Sequence, residues 1–215
     1  MRKLITLLLA LALAGSILLP NSKALAAPLK EDLETAEEST EPELDPKVEA
    51  MLAWAREIAQ DNSHGYSQAN RYGPNYDCTS FVCTALMEGG FGLDHYTSTG
   101  GMIAELPALG FVVYRRGEAE AQRGDILLQR GVHAEICLGN GGCVAAHQDY
   151  DGRSGDRTGH EIEWRDSNDD SYGCPFCKYQ KYNYILHYDP ERFEAIQTAA
   201  LLPLLGSLSS LVELN

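Results

Sequence analysis

Val48, Met51, Leu52, Ala55 and Ile58 recur at the three- and four-residue spacing of one helical face, so residues 46–60 are predicted as an amphipathic helix with Pro46 at its start. Residues 61–75 are polar, contain glycine and read as a loop. Asp77 is suited to cap a second helix running from Cys78 to about Met87, which Gly89-Gly90 ends. A short helix is expected over 102–106 and a strand over 111–114. Three short apolar runs bounded by glycine follow, at 125–128, 133–138 and 143–147. Gly139-Asn140-Gly141-Gly142 reads as a hairpin turn between the last two, because Asn and Gly accept the positive φ of tight turns. Strands at 161–164 and 182–188 complete the pattern. Helices first and strands afterwards predict the α+β class, with N-terminal helices packed on an antiparallel β-sheet. There is no internal repeat.

The two ends read differently from this domain. Arg2 and Lys3 precede an almost wholly apolar run over residues 4–19, and Ala24-Leu25-Ala26 supplies small residues at a cleavage site. Residues 1–26 are therefore expected to be a secretory signal peptide, and the protein to be secreted, either extracellular or associated with the cell wall. An uncleaved anchor is disfavoured: the run is shorter than the ~20 residues a bilayer span needs, and Gly15, Ser16 and Pro20 interrupt it. Between Glu31 and Asp45 stand eight acids and no base, so residues 27–46 are predicted as a solvated acidic linker. The folded domain is then expected over 47–190. The tail, 191–215, begins with helical character, turns apolar, and is expected to break at Pro203 and Gly206. It is too short to span a bilayer.

Charge narrows the partners. The chain of 215 residues carries 17 Lys+Arg against 31 Asp+Glu, a net charge of -14, and removing residues 1–26 takes away three bases and no acid, leaving -17. Such a balance argues against nucleic acid, whose phosphates need clustered Lys and Arg, and against electrostatic adsorption to an anionic bilayer.

The chemistry-bearing stretch is Tyr76-Asp77-Cys78-Thr79-Ser80-Phe81-Val82. A cysteine directly after a helix N-cap sits where unpaired N–H groups and the helix dipole favour a thiolate over a thiol. The same N–H groups can receive the negative oxygen formed when sulfur attacks a carbonyl. Such a nucleophile needs a base, and the base a third polar group that holds its tautomer. His133 opens one strand of the predicted hairpin and His147 closes the other, so the two can face one another. Cys78 is read as nucleophile, His133 as base and His147 as orienting group.

These residues, with Gly124-Asp125-Ile126-Leu127-Leu128 and His133-Ala134-Glu135-Ile136-Cys137-Leu138-Gly139-Asn140-Gly141, resemble the NlpC/P60 cysteine peptidases, in the manner of phage-type cell-wall lysins and their amidase relatives. Asp156-Arg157-Thr158-Gly159-His160-Glu161-Ile162 is similar to a lysin segment as well. The resemblance spans about residues 50–188. It implies a papain-like fold and hydrolysis of an amide in the peptidoglycan stem peptide, with the family's cysteine on Cys78 and its histidine on His133. No metal or organic cofactor is implied. In many members the third polar residue falls on the place of Ala145, which is apolar here; some amidase-type members put it two residues later, on His147. Alternation keeps positions 145 and 147 on one face, and Gln148 ranks second. Tyr76, Asp77 and Ser80 would line the substrate groove or fix the helix start. Glu135 shares the face of His133 and is read as a substrate contact or a solvated strand residue.

Five cysteines remain besides Cys78. Cys137 and Cys143 flank the turn and could bridge across it, and Cys174 and Cys177 could close on each other, exchange disulfides or bind metal. A four-cysteine zinc site from these four is the lesser reading, since one C-x-x-C without a matching pair is weak. Cys83 is expected to be packed. The main functional reading is a cysteine endopeptidase of the stem peptide. The alternatives are an N-acetylmuramoyl-L-alanine amidase of the same fold, an inactive wall-binding scaffold, and a thiol–disulfide protein.

Overall fold

The computed structural model describes residues 43–147, 161–165 and 180–212, with side chains as far as Pro203. The predicted signal peptide, most of the acidic linker, Gln148, Cys174 and Cys177 lie outside the described residues. Helix α1 (Pro46–Gln60) starts with Pro46 in its first turn and with the Asp45 carboxylate accepting from the Lys47 amide at 2.8 Å. Its buried face is Val48, Met51, Leu52, Ala55 and Ile58, the stripe that the spacing predicts. Helix α2 (Cys78–Glu88) buries nearly all of its length. It ends at Gly89, where a Cβ would come within 2.8 Å of the Lys47 carbonyl, so the end of α2 abuts the start of α1. Helix α3 (Thr99–Glu105) begins three residues before the expected start, because the Ser98 hydroxyl accepts from the Gly101 amide at 3.1 Å and so caps it. The Gly100-Gly101 pair, poor in helix propensity, hides this start in the sequence.

Six strands form one antiparallel sheet: β1 (Phe111–Arg115), β2 (Ile126–Gln129), β3 (His133–Gly139), β4 (Gly142–Ala146), β5 (Ile162–Arg165) and β6 (Tyr184–Tyr188). Their spatial order is β1-β6-β2-β3-β4-β5. The α+β class is therefore as predicted. Local hairpin pairing accounts for β2-β3-β4, whereas β6 arrives from far along the chain to sit between β1 and β2. Helices α1 and α2 pack over β3, β4 and β5. Period-two alternation divides the sheet residues: Ile126, Leu128, Ala134, Ile136, Leu138, Val144 and Ala146 join the helices in the main core. Leu127, Cys137, Cys143 and Ile185 form a smaller cluster with Tyr182.

One glycine is dictated by two demands at once. Gly124 has φ +92°, and a Cβ there would lie 2.3 Å from a methyl of Val48, so β2 can enter beneath α1 only through glycine. The next residue, Asp125, is buried, accepts from the Gln122 amide at 2.8 Å, and bonds His187 at 2.7 Å.

Two expectations are corrected. Helix α4 (Pro190–Val212) runs on through Pro203 and Gly206 instead of breaking there. A proline inside a helix removes only its own N–H bond and crowds one carbonyl, a local cost rather than a necessary end. Among the described residues no helix is long and apolar enough to cross a membrane. Cys78, Cys83 and Cys137 are thiols, while Cys143 is disulfide-bonded to none of these three. The Cys137–Cys143 bridge is thus not formed, although the two residues are register partners. Opposed Cβ atoms of antiparallel strands stand about 4.5–5.5 Å apart, beyond the ~3.8 Å a disulfide prefers. The disulfide also removes Cys143 from a four-cysteine zinc site. Cys83 is packed as expected, and burial pushes its thiol up to about 11.

Candidate active site

The chain reaches α2 through a loop held by its own backbone. The Ser67 amide bonds the Tyr76 carbonyl, and the Tyr76 amide bonds the Gly65 carbonyl, each at 3.0 Å. Asp77 then anchors the helix start. Its Oδ1 accepts from the Ser80 amide at 2.7 Å and from the Thr79 hydroxyl at 2.9 Å, while Oδ2 accepts from Arg71 Nη1 at 2.9 Å. The Ser80 hydroxyl accepts from the Asp77 amide at 2.9 Å, completing a capping box. The Tyr76 ring packs edge-on against Trp54 and Phe81. Asp77 and Ser80 thus fix the helix start, and Tyr76 packs in the core beneath it. Ser80 also borders a cavity of about 180 Å³ beside the first turn of α2, with Arg71, Tyr72, Thr79 and Tyr96 along it.

This scaffold places Cys78 at the first helical position, buried in the fold. Helix geometry leaves the first N–H groups without intrahelical partners; the Asp77 carboxylate takes that of Ser80, and the Phe81 amide makes the first i→i−4 bond, to the Asp77 carbonyl. From the other side comes the β3–β4 hairpin. Extending the Ile136–Val144 register places His133 opposite His147, and their rings stack with centroids 5.6 Å apart and planes 28° apart. His133 Nε2 lies 3.0 Å from Glu135 Oε1, and His147 Nδ1 lies 3.6 Å from that same oxygen. Glu135 itself is only 1 % exposed.

The two imidazoles are driven apart in basicity. Burial lowers the proton affinity of His133, but hydrogen bonds to Cys78 and Glu135, together with their charges, outweigh it and raise the group to about 9. Burial lowers His147 to about 3, helped by the positive charges of His133 and Arg165. At neutral pH one ring is cationic and its stacked neighbour is neutral, which avoids like-charge repulsion at van der Waals range.

Cys78, His133 and His147 are therefore brought together. The hydrogen bond expected between His147 and His133 is made by Glu135 instead, and His147 stacks on the ring it was expected to orient. A signal for Glu135 exists in the sequence: it is the one acid in a strand otherwise built of Ala, Ile, Cys and Leu, two residues from His133 and on its face. His64, His95 and His187 make their contacts elsewhere, with Asp61, with Asp94 and Glu105, and with Asp125.

A thiol at a helix start, beside an imidazole held by a carboxylate, is an arrangement able to attack a carbonyl carbon and then protonate a leaving amine. No curated protein matches the chain. Residues 47–151, which carry α1, α2, Cys78, His133, Glu135 and His147, match the family model of the bacteriophage peptidoglycan hydrolases, and this match supports a phage-type cell-wall hydrolase acting on peptidoglycan.

Proposed function

We propose that this protein is an exported cysteine endopeptidase of the NlpC/P60 kind, cutting an amide bond within the peptidoglycan stem peptide. The observation that carries the reading is the chain of contacts from the Cys78 thiol to His133 and on to the buried Glu135. Cys78 gives its thiol proton to His133 and its Sγ attacks the carbonyl carbon, and the oxygen takes up the negative charge against the unpaired N–H groups of the first turn of α2. The C–N bond breaks as His133 gives its proton to the departing amine, leaving a thioester on Cys78. His133 then takes a proton from water, the water oxygen attacks the thioester, and the acid leaves as the thiol is restored. Glu135 fixes the His133 ring and stabilises its cation, and His147, neutral, packs against both. Residues 1–26 direct the chain out of the cell, where its substrate lies.

The test is a digest of purified peptidoglycan read by mass spectrometry. The wild-type protein should release peptides newly cut between amino acids, and Cys78→Ala should lose at least about a thousandfold in rate. Release of whole stem peptides from intact glycan would place the cut at the lactyl–L-alanine amide instead. Digestion undiminished in Cys78→Ala would refute cysteine catalysis.

A further inference from the structure

His133, Glu135 and His147 each offer one ligand atom, and these atoms lie within 4.8 Å of one another in a largely buried cluster. Two of the edges are 3.0 and 3.6 Å, both meeting at Glu135 Oε1. A four-coordinate zinc ion with bonds of about 2.0–2.2 Å holds its ligands about 3.3–3.5 Å apart, so two edges already have nearly the length the ion requires. The donor set points the same way. Two imidazoles and a carboxylate suit a borderline transition metal, whereas magnesium and calcium select all-oxygen sites. His147 also fits the part of a ligand. Its Nδ1 is the nitrogen that faces Glu135 Oε1, at 3.6 Å, while its buried Nε2 has no hydrogen-bond partner among the described residues.

From this geometry we infer that His133, Glu135 and His147 form a zinc-binding site, and that zinc held there switches the hydrolase off. The inhibitory half rests on the cysteine mechanism proposed above; the binding half does not. A metal on His133 Nε2 and Glu135 Oε1 breaks the hydrogen bond that orients the imidazole. It also puts a dication in place of the mobile proton, so His133 can no longer protonate the leaving amine. Three protein ligands leave the fourth position to water or to the neighbouring Cys78 thiol.

The test starts from full-length, metal-free Cys78→Ala protein, which removes the nearby thiol as a ligand. Titration calorimetry with zinc chloride should show one site with micromolar or tighter affinity, and magnesium chloride none. Cobalt(II) in the same protein should give the intense visible bands of four-coordinate metal, a readout independent of any activity and of any further substitution. His147→Gln and Glu135→Gln, each in the Cys78→Ala background and checked for folding by circular dichroism, should weaken zinc at least about tenfold. In the wild-type protein, micromolar zinc should stop peptidoglycan digestion and EDTA should restore it. Absence of zinc binding, zinc binding unchanged in folded His147→Gln, or faster digestion with zinc would each overturn the inference. If the wild-type protein digests no peptidoglycan, the hydrolase reading and the inhibition fall together, and the calorimetry and cobalt spectrum still decide the site.

Discussion

At the scale of single residues, a carboxylate buried as deeply as Glu135 is costly unless its oxygens find donors, and here one oxygen bonds the His133 ring, with His147 Nδ1 3.6 Å away. The return is a cationic His133. Burial alone would strip that ring of its proton, while Cys78 and Glu135 together lift it to about 9. Proton donation to the leaving amine should therefore persist up to about pH 9 and fail above it. In chelator-containing buffer the alkaline limb of the kcat/KM profile is expected there for wild type. In Glu135→Gln, which keeps an acceptor and loses the charge, the limb should move at least about one unit lower. A limb that stays in place would show that the carboxylate charge does not govern His133. The sequence marks Glu135 only as the single acid in an apolar strand on the face of His133; its burial is what separates it from a solvated strand acid.

The element that matters most at the next scale is the first turn of α2. Asp77 satisfies the Ser80 amide, holds the Thr79 hydroxyl and ties Arg71 of the preceding loop to the helix. Asp77→Ala removes all three, and a loss of about 2 kcal/mol is expected in urea denaturation, the upper end of what N-caps contribute. Asp77→Asn keeps the cap and should retain most stability. If that variant stayed stable but lost digestion, Asp77 would be touching substrate as well as capping. Where β2 enters beneath α1, Gly124→Ala forces a methyl to within 2.3 Å of Val48 at φ +92° and should cost about 1–3 kcal/mol, seen as a lower Tm. Both substitutions sit in stretches that the sequence marks plainly, the Asp-Cys helix start and the Gly-Asp strand entry.

Over the whole molecule, opposite shifts of two stacked histidines set a pH window for stability. His133 holds its proton more tightly in the folded state, so its contribution is complete below about 6.5 and is lost as pH rises through about 9. His147 binds its proton less tightly when folded, so its contribution is complete above about 6.5 and is lost as pH falls towards about 3. The metal-free protein should show its highest urea midpoint near pH 6.5, lower at pH 4.5 and at pH 9. His147→Gln should flatten the acid side only; an unchanged acid side would mean that other groups control it.

Local pattern determined a large part of this protein. The stripe of α1, the capped start of α2, the β3–β4 hairpin and the meeting of His133 with His147 all follow from spacing, capping chemistry and turn residues within short stretches of chain. Three matters were decided only by the tertiary structure. The insertion of β6 between β1 and β2 depends on pairing across long sequence separation, which no window of residues encodes. The bond of Cys143 depends on which sulfur comes within reach, and its register neighbour Cys137 is not the one. The place of Glu135 as the acceptor on His133 depends on burial, because alternation assigns a side chain to a face of the sheet but not to solvent or core. Packing makes that last choice, and with it the carboxylate that holds the imidazole.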